Sequence, residues 1–438
     1  MGQAAHHEMR FDSLPAWLDW QSGLNPRSVD LGLDRVRRVW ERLGNPDLGA
    51  AVLTVAGTNG KGSSVALAES IMLAAGYRTG CYTSPHLLHY NERIRVDGEP
   101  VSDRIICGAF DRIDRARGEV PLSYFEFGTL AALWVFREAG LDLIVLEVGL
   151  GGRLDAVNLI DPDVALITGI ALDHQAWLGD DIEAIGFEKA GILRPGRPAV
   201  FSGRDMPLSI RRHADRIGAK LSVAGQDFRV RYAGAGWDLL ADRRVRAALP
   251  LPGMRGRVQV ANAAGVLLAL DCLSDRLPVD QRAVRAGLLS ARLPGRFDVR
   301  PGTPTWVLDV AHNPQAAGVL DDMLGDFFTR GRVTAVCGML NDKDVEGVAA
   351  ALAGRFDAWY LVDLSDQARG CTSAALAERV APVLSQVPIE SGSGVAETLD
   401  RVVADAGPDD LVVVFGSFLV VGAAMAWLET RASAAVTA

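Results

Sequence analysis

The stretch Ala51-Val52-Leu53-Thr54-Val55-Ala56-Gly57-Thr58-Asn59-Gly60-Lys61-Gly62-Ser63-Ser64 decides the fold. Residues 51–56, apolar but for Thr54, predict a buried strand. A glycine-rich loop interrupts the run, and a helical pattern continues from Lys61 to Ala75. Strand, glycine loop and helix in that order make a phosphate site. The glycines let the backbone approach oxygen atoms, and N–H groups at a helix N-terminus point at negative charge. Lys61 is expected to neutralise the β- and γ-phosphates of a nucleotide, with Ser63 or Ser64 adding a hydroxyl. The spelling is unusual. With Gly60-Lys61 aligned to the common pattern, Val55 holds the place of the first glycine and Gly62 that of the Ser/Thr. This points away from GTPases and ordinary kinases of that type. A plainer reading, a tight turn with a surface lysine, does not explain the strand-loop-helix setting.

Outward from this loop, short apolar runs alternate with helical patterns. Strands are expected at 51–56, 78–83, 141–148, 164–170 and 198–201, with helices at 61–75, 127–139 and 182–190. Runs apolar on both faces predict a parallel sheet covered on both sides. The pattern restarts with strands at 306–310, 333–337, 359–362 and 411–415. The fold class is therefore α/β: a mostly parallel, phosphate-loop-bearing ATPase domain over 1–295, then a smaller Rossmann-like domain over 296–438. Leu293-Pro294-Gly295-Arg296-Phe297 is the expected junction. Residues 221–235 and 237–249 read as hairpins covering an edge of the first domain.

The chain has 438 residues and a net charge of −9, which argues against broad nucleic-acid binding. Its five cysteines show no CxxC spacing and fit reduced thiols in a cytoplasm. Met1–Arg10 has no apolar signal core. Leu411–Leu428, broken by Gly416-Ser417 and Gly422, falls short of the ~20 apolar residues of a membrane span and reads as a strand and a helix.

Ligands of parallel sheets bind at the carboxyl ends of the strands. Ser84, Glu147 and His174 fall at three such ends. A carboxylate late in an apolar strand is costly without a partner, and Mg2+ bridging ATP phosphates would supply one. Taken singly, Ser84 reads as a turn residue, His174 as a loop histidine, and Glu147 as a partner of Arg153. The glycine-dense loop Gly149–Asp155 reads as a substrate loop, with Arg153 and Asp155 placed to recognise charge.

Nearly the whole chain resembles the folylpolyglutamate synthase/dihydrofolate synthase family of the Mur ligase superfamily. The resemblance rests on several segments in order: Gly57–Ser63, Thr83–Leu87, Phe125–Thr129, Glu147–Ala156, Leu172–His174, Glu188–Ile192, Leu293–Arg296, Asp309–Pro314 and Gly416–Phe418. It implies an ATP-dependent ligase that joins L-glutamate to 7,8-dihydropteroate and adds further glutamates to reduced folates. Thr58, Asn59, Gly60, Lys61, Gly62 and Ser63 would hold ATP, and Ser84, Glu147 and His174 would bind Mg2+. Lys189 matches a lysine carried as a carbamate, although by itself it reads as a surface lysine paired with Glu183 or Glu188. Asn262, Arg296, Asp309 and His312 match groups that close over the nucleotide. Ser123, Tyr124, Phe125, Glu126, Leu154, Asp155 and Ala156 match pterin-binding segments. Lys61, Lys189 and His312 would be the catalytic groups, in a monomer. Val157, Leu419 and Gly169 depart from the family's usual Thr, His and Ser.

Three alternatives remain at this level. A peptidoglycan Mur ligase would carry an extra N-terminal domain, for which the 56 residues before Gly57 are too few. A nucleotide-gated binding protein would have no use for so many strand-end ligands. A member limited to one of the two glutamylations stays open.

Overall fold

The computed structural model describes residues 9–437 apart from 26, 28, 242, 243 and 368. Most of the Met1–Arg10 reading lies outside the described residues. The first sheet has eight strands: β1 Ala51–Ala56, β2 Thr79–Tyr82, β3 Ile94–Val96, β4 Glu99–Pro100, β5 Leu143–Glu147, β6 Val164–Ile167, β7 Pro198–Phe201 and β8 Lys220–Val223. Their spatial order is β4-β3-β2-β5-β1-β6-β7-β8. All neighbours from β2 to β8 pair in parallel, and only the β2-β3-β4 edge is antiparallel. Every residue of β1, β5 and β6 is buried, because helices cover both faces.

The helix Lys61–Ala74 follows the loop as expected. The helix expected from Phe127 begins at Tyr124, because Ser123 and Glu126 form a capping box before it.

Residues 220–250 correct the hairpin reading. Lys220–Val223 is a parallel edge strand of the large sheet. A separate antiparallel meander follows, of β9 Phe228–Ala233, β10 Gly236–Ala241 and β11 Arg244–Pro250. It buries Phe228, Trp237, Leu239 and Leu249 in the same core as the helix Arg257–Asp271. The hairpin reading placed strands in this region, but their partners were not legible in the sequence.

The remaining strands are β12 Asp298–Arg300, β13 Thr305–Leu308, β14 Val333–Cys337, β15 Ala358–Leu361, β16 Ile389–Ser391 and β17 Leu411–Phe415. They form a second sheet in the order β12-β13-β17-β14-β15-β16, parallel except at β12. The segment 411–428 is β17 followed by the start of the helix Phe418–Thr437. Among the described residues no helix is long and apolar enough to cross a membrane.

Candidate active site

The carboxyl ends of four adjacent strands, β2, β5, β1 and β6, carry Ser84, Glu147, the Gly57–Ser63 loop and the 168–174 loop. The phosphate loop is shaped by close approach. Gly57 has φ 147°, and a Cβ there would lie 1.8 Å from the Thr168 hydroxyl oxygen. Gly60 has φ 90°, and its Cβ would lie 2.6 Å from Asn262 Oδ1. Only glycine satisfies both constraints. Thr58 ties the loop to the next strand end: its N–H donates to Gly169 O, and its hydroxyl pairs with the backbone of Ala171. A serine at Gly169 would fit, since the nearest atom to its Cβ is Gln315 Oε1 at 3.9 Å.

Lys61 Nζ folds back onto the carbonyls of Gly57 and Thr58, 3.1 Å from each. Burial lowers its pKa, opposed by the charges of Glu147 and Asp173. Ser63 and Ser64 are buried in the first helical turn, and the Ser64 hydroxyl has no protein partner.

Glu147 is buried, and its Oε2 accepts one hydrogen bond, from Ser84 N at 3.2 Å. Burial pushes its carboxyl upward against the pull of Lys61. Arg153 is not its partner, because that guanidinium pairs with Glu188 at 2.8 Å and lies over the Phe187 ring. Its side chain is 43% exposed beside the Gly149–Asp155 loop, with Glu188 as its partner. His174 is held neutral, with burial lowering its pKa to about 4 against the opposing charge of Asp173. A neutral imidazole, an under-bonded buried carboxylate and a serine beside it fit a divalent cation. Among the described residues no three His, Cys, Asp and Glu side chains cluster closely enough to hold a metal. The set therefore needs the Ser84 hydroxyl and ligand oxygens as well.

Lys189 is buried, and its Nζ donates to Gly57 O at 3.0 Å. The pairings with Glu183 and Glu188 are absent. Glu183 accepts from the backbone of Leu208 and Ser209, and Glu188 binds Arg153. Burial, reinforced by Lys61, lowers the Lys189 pKa to about 7. An amine so placed is substantially unprotonated near neutrality, as carbamate formation requires.

The second sheet reaches this cleft from its own strand ends. Asn59 and Asn313 exchange amide hydrogen bonds at 3.1 and 3.2 Å, and Asn59 also donates to Gln315 at 2.7 Å. His312 Nδ1 lies 2.8 Å from Val310 O and its Nε2 3.4 Å from Asp173. Arg296 lies over the Phe418 ring at 5.3 Å, within the fields of Asp309 and Glu147. Both Asp309 oxygens accept backbone N–H groups, of Phe297 and Ala311. Asn262 donates to Gln259, leaving its oxygen towards Gly60.

The expected pterin residues divide into two kinds. The polar atoms of Ser123 and Glu126 are spent on their capping box, and Glu126 also pairs with Arg35 at 3.0 Å. Tyr124 and Phe125 are half-buried; Phe125 packs on Tyr82 and touches the Gly149 backbone, while Tyr124 meets Tyr90. Asp155 is buried and accepts from Leu150 N and Val157 N. Burial raises its carboxyl to about 6 despite those donors. Leu154 gives its carbonyl to Gly32, and Ala156 opens the short helix Ala156–Leu159.

Sequence reasoning assigned no role to Asp173, Lys343, Asn313 or Gln315. Lys343 lies in the loop beyond β14, whose last residue is Cys337, and no local pattern marks it as part of the site.

Comparisons agree with this arrangement. Residues 295–418 match the family "Mur ligase, glutamate ligase domain". The chain is 43% identical over 420 residues to the dihydrofolate synthase/folylpolyglutamate synthase of Escherichia coli K12, covering 96% of each chain. E. coli FolC in complex with DHPP and ADP superposes with a TM-score of 0.91 at 42% identity, covering 97% of this chain and 100% of that one. The bifunctional enzyme of Yersinia pestis complexed with AMPPNP and Mn ion gives a TM-score of 0.88 at 43% identity, with 97% and 100% covered. This chain belongs to the dihydrofolate synthase/folylpolyglutamate synthase family of the Mur ligases.

Proposed function

We propose that the protein joins L-glutamate to 7,8-dihydropteroate, and adds further glutamates to reduced folates, through an acyl phosphate formed with ATP. One observation carries the reading: the phosphate loop, Glu147, His174 and Lys189 of one sheet face His312 and Asn313 of the other across a single cleft. Relatives that bind DHPP with ADP, or AMPPNP with Mn, support it, and family membership sets the peptidoglycan alternative aside.

A carboxylate oxygen is a poor leaving group. Transfer of the γ-phosphoryl group of ATP to the acceptor carboxylate makes the acyl phosphate and releases ADP. The glutamate amine then attacks the acyl carbon, the amide bond forms, phosphate leaves, and the amine gives up a proton. Lys61 and the loop N–H groups neutralise and orient the phosphates. Mg2+ held by Ser84, Glu147 and His174 would supply further charge neutralisation. Lys189, as its carbamate, would help place a second Mg2+. Asn262, Arg296 and Asp309 frame the nucleotide, and His312 faces it from the second sheet. Phe125, Tyr124, Leu154, Asp155 and Ala156 form the pterin side. The reading also divides the chain into domains at 295/296, with closure excluding the water that would hydrolyse the acyl phosphate. It takes the protein as a cytoplasmic monomer, which sedimentation of the purified chain would check.

The test is glutamate incorporation with dihydropteroate and, separately, a reduced folate as acceptor. ADP release that depends on acceptor and glutamate supports the reading. Absence of release with both acceptors under saturating Mg-ATP would sink it, and release with one alone would restrict it to a single reaction.

A further inference from the structure

Asp173 and Lys343 lie 170 residues apart in sequence, in the loops after β6 and β14. Lys343 Nζ is 2.6 Å from Asp173 Oδ1, and each side chain is only 7% exposed. Asp173 gathers four donors. Oδ1 also accepts the amide of His174 at 2.8 Å, and Oδ2 faces His312 Nε2 and Asn313 Nδ2, each at 3.4 Å. Three of the four belong to the second sheet.

The fourth is the residue assigned to the metal. His174 has φ 53° and ψ 36°, a left-handed conformation that is strained for a non-glycine residue. Such a conformation persists where its surroundings over-determine it. Here the Asp173 carboxylate holds the His174 amide, and the second sheet holds the carboxylate.

We propose that Lys343 is a positioning residue: by seating on Asp173 from the second sheet, it fixes the turn at His174 and so completes the metal site. This rests on His174 being a metal ligand. Lys343 does not touch the metal; its effect passes through Asp173. The buried pair suits that task, because removing one partner strands the other's charge.

The experiment uses the full chain and Mn2+ as the probe, with AMPPNP present. Free Mn2+ is read by its paramagnetic resonance signal, alongside steady-state kinetics with glutamate varied. Lys343→Met is expected to weaken Mn2+ binding ~10–100-fold, as loss of groups that orient metal ligands does. The KM for L-glutamate should stay unchanged, and Lys343→Arg should recover part of the affinity. Asp173→Asn, which keeps the side-chain shape, should reproduce the loss if Lys343→Met fails to fold. Unchanged Mn2+ affinity in the folded variants overturns the proposal. A raised glutamate KM with unchanged Mn2+ affinity overturns it in favour of a substrate contact. His174→Ala separates the two levels: if it leaves Mn2+ binding intact, the assignment of His174 as a ligand has failed.

Discussion

Lys61 and Lys189 share one acceptor: both ammonium nitrogens point at the carbonyl of Gly57, at 3.1 and 3.0 Å. Two cations on one carbonyl in a buried site repel, and burial together with the neighbouring Lys61 brings the Lys189 pKa down to about 7. The arrangement turns an ordinary lysine into a candidate nucleophile for CO2. It also leaves Lys61 as the cation available to phosphate.

Replacing Lys189 by Ala should lower the turnover of glutamate incorporation ~10–100-fold, as expected when a group that places a metal is lost. Short carboxylic acids added to the variant should restore part of the rate by standing in for the carbamate. Full activity in the variant without additive would reject the carbamate.

Lys189 also links stability to pH. Its amine titrates near 7 when folded and at its ordinary 10.5 when unfolded. Between those values the unfolded chain binds the extra proton, so folding stability rises with pH across the window. Denaturant unfolding in CO2-free buffer should therefore show a steeper gain in stability from about pH 7.5 to about pH 9.5 in the native protein than in Lys189→Met. Parallel slopes would contradict the depressed pKa.

Glu147 sits in a buried place with one hydrogen bond, a cost in the metal-free protein. Glu147→Gln should raise the melting temperature without metal by a few degrees while weakening Mn2+ binding by on the order of 100-fold. A variant less stable than the native chain would show that the carboxylate is already satisfied without a cation.

Gly60→Ala places a Cβ against Asn262 Oδ1 at a φ of 90°. The backbone term alone is ~1–2 kcal/mol, and the loop must shift to relieve the contact. Loss of nucleotide binding is expected by calorimetry. Asn262→Ala in the same chain should recover little, because it relieves the contact and not the φ.

Phe125→Ala removes an aromatic platform beside the Gly149 loop. The KM for dihydropteroate should rise about tenfold, within the ~1–3 kcal/mol that base–aromatic stacking contributes, while the KM for ATP stays unchanged. Equal changes in both constants would place Phe125 in the nucleotide site or in the core.

The sequence by itself determined the α/β class, the position of the phosphate loop and the strand-end residues Ser84, Glu147 and His174. These are local facts: apolar runs, glycine spacing and the position of a polar residue at a strand's end are all written over a few neighbouring residues. Tertiary structure decided the partners. Arg153 could pair with Glu147 or Glu188 on charge alone, and packing gave it to Glu188. Lys189 read as a surface lysine because burial comes from β1 and its loop, over a hundred residues away in sequence. The edge strand β8 and the β9-β10-β11 meander share similar sequence texture, and only long-range pairing separates them. The gathering of Lys343, His312 and Asn313 around Asp173 was invisible for the same reason. A one-dimensional pattern reports which face of an element is buried, but not which distant charge lies against it.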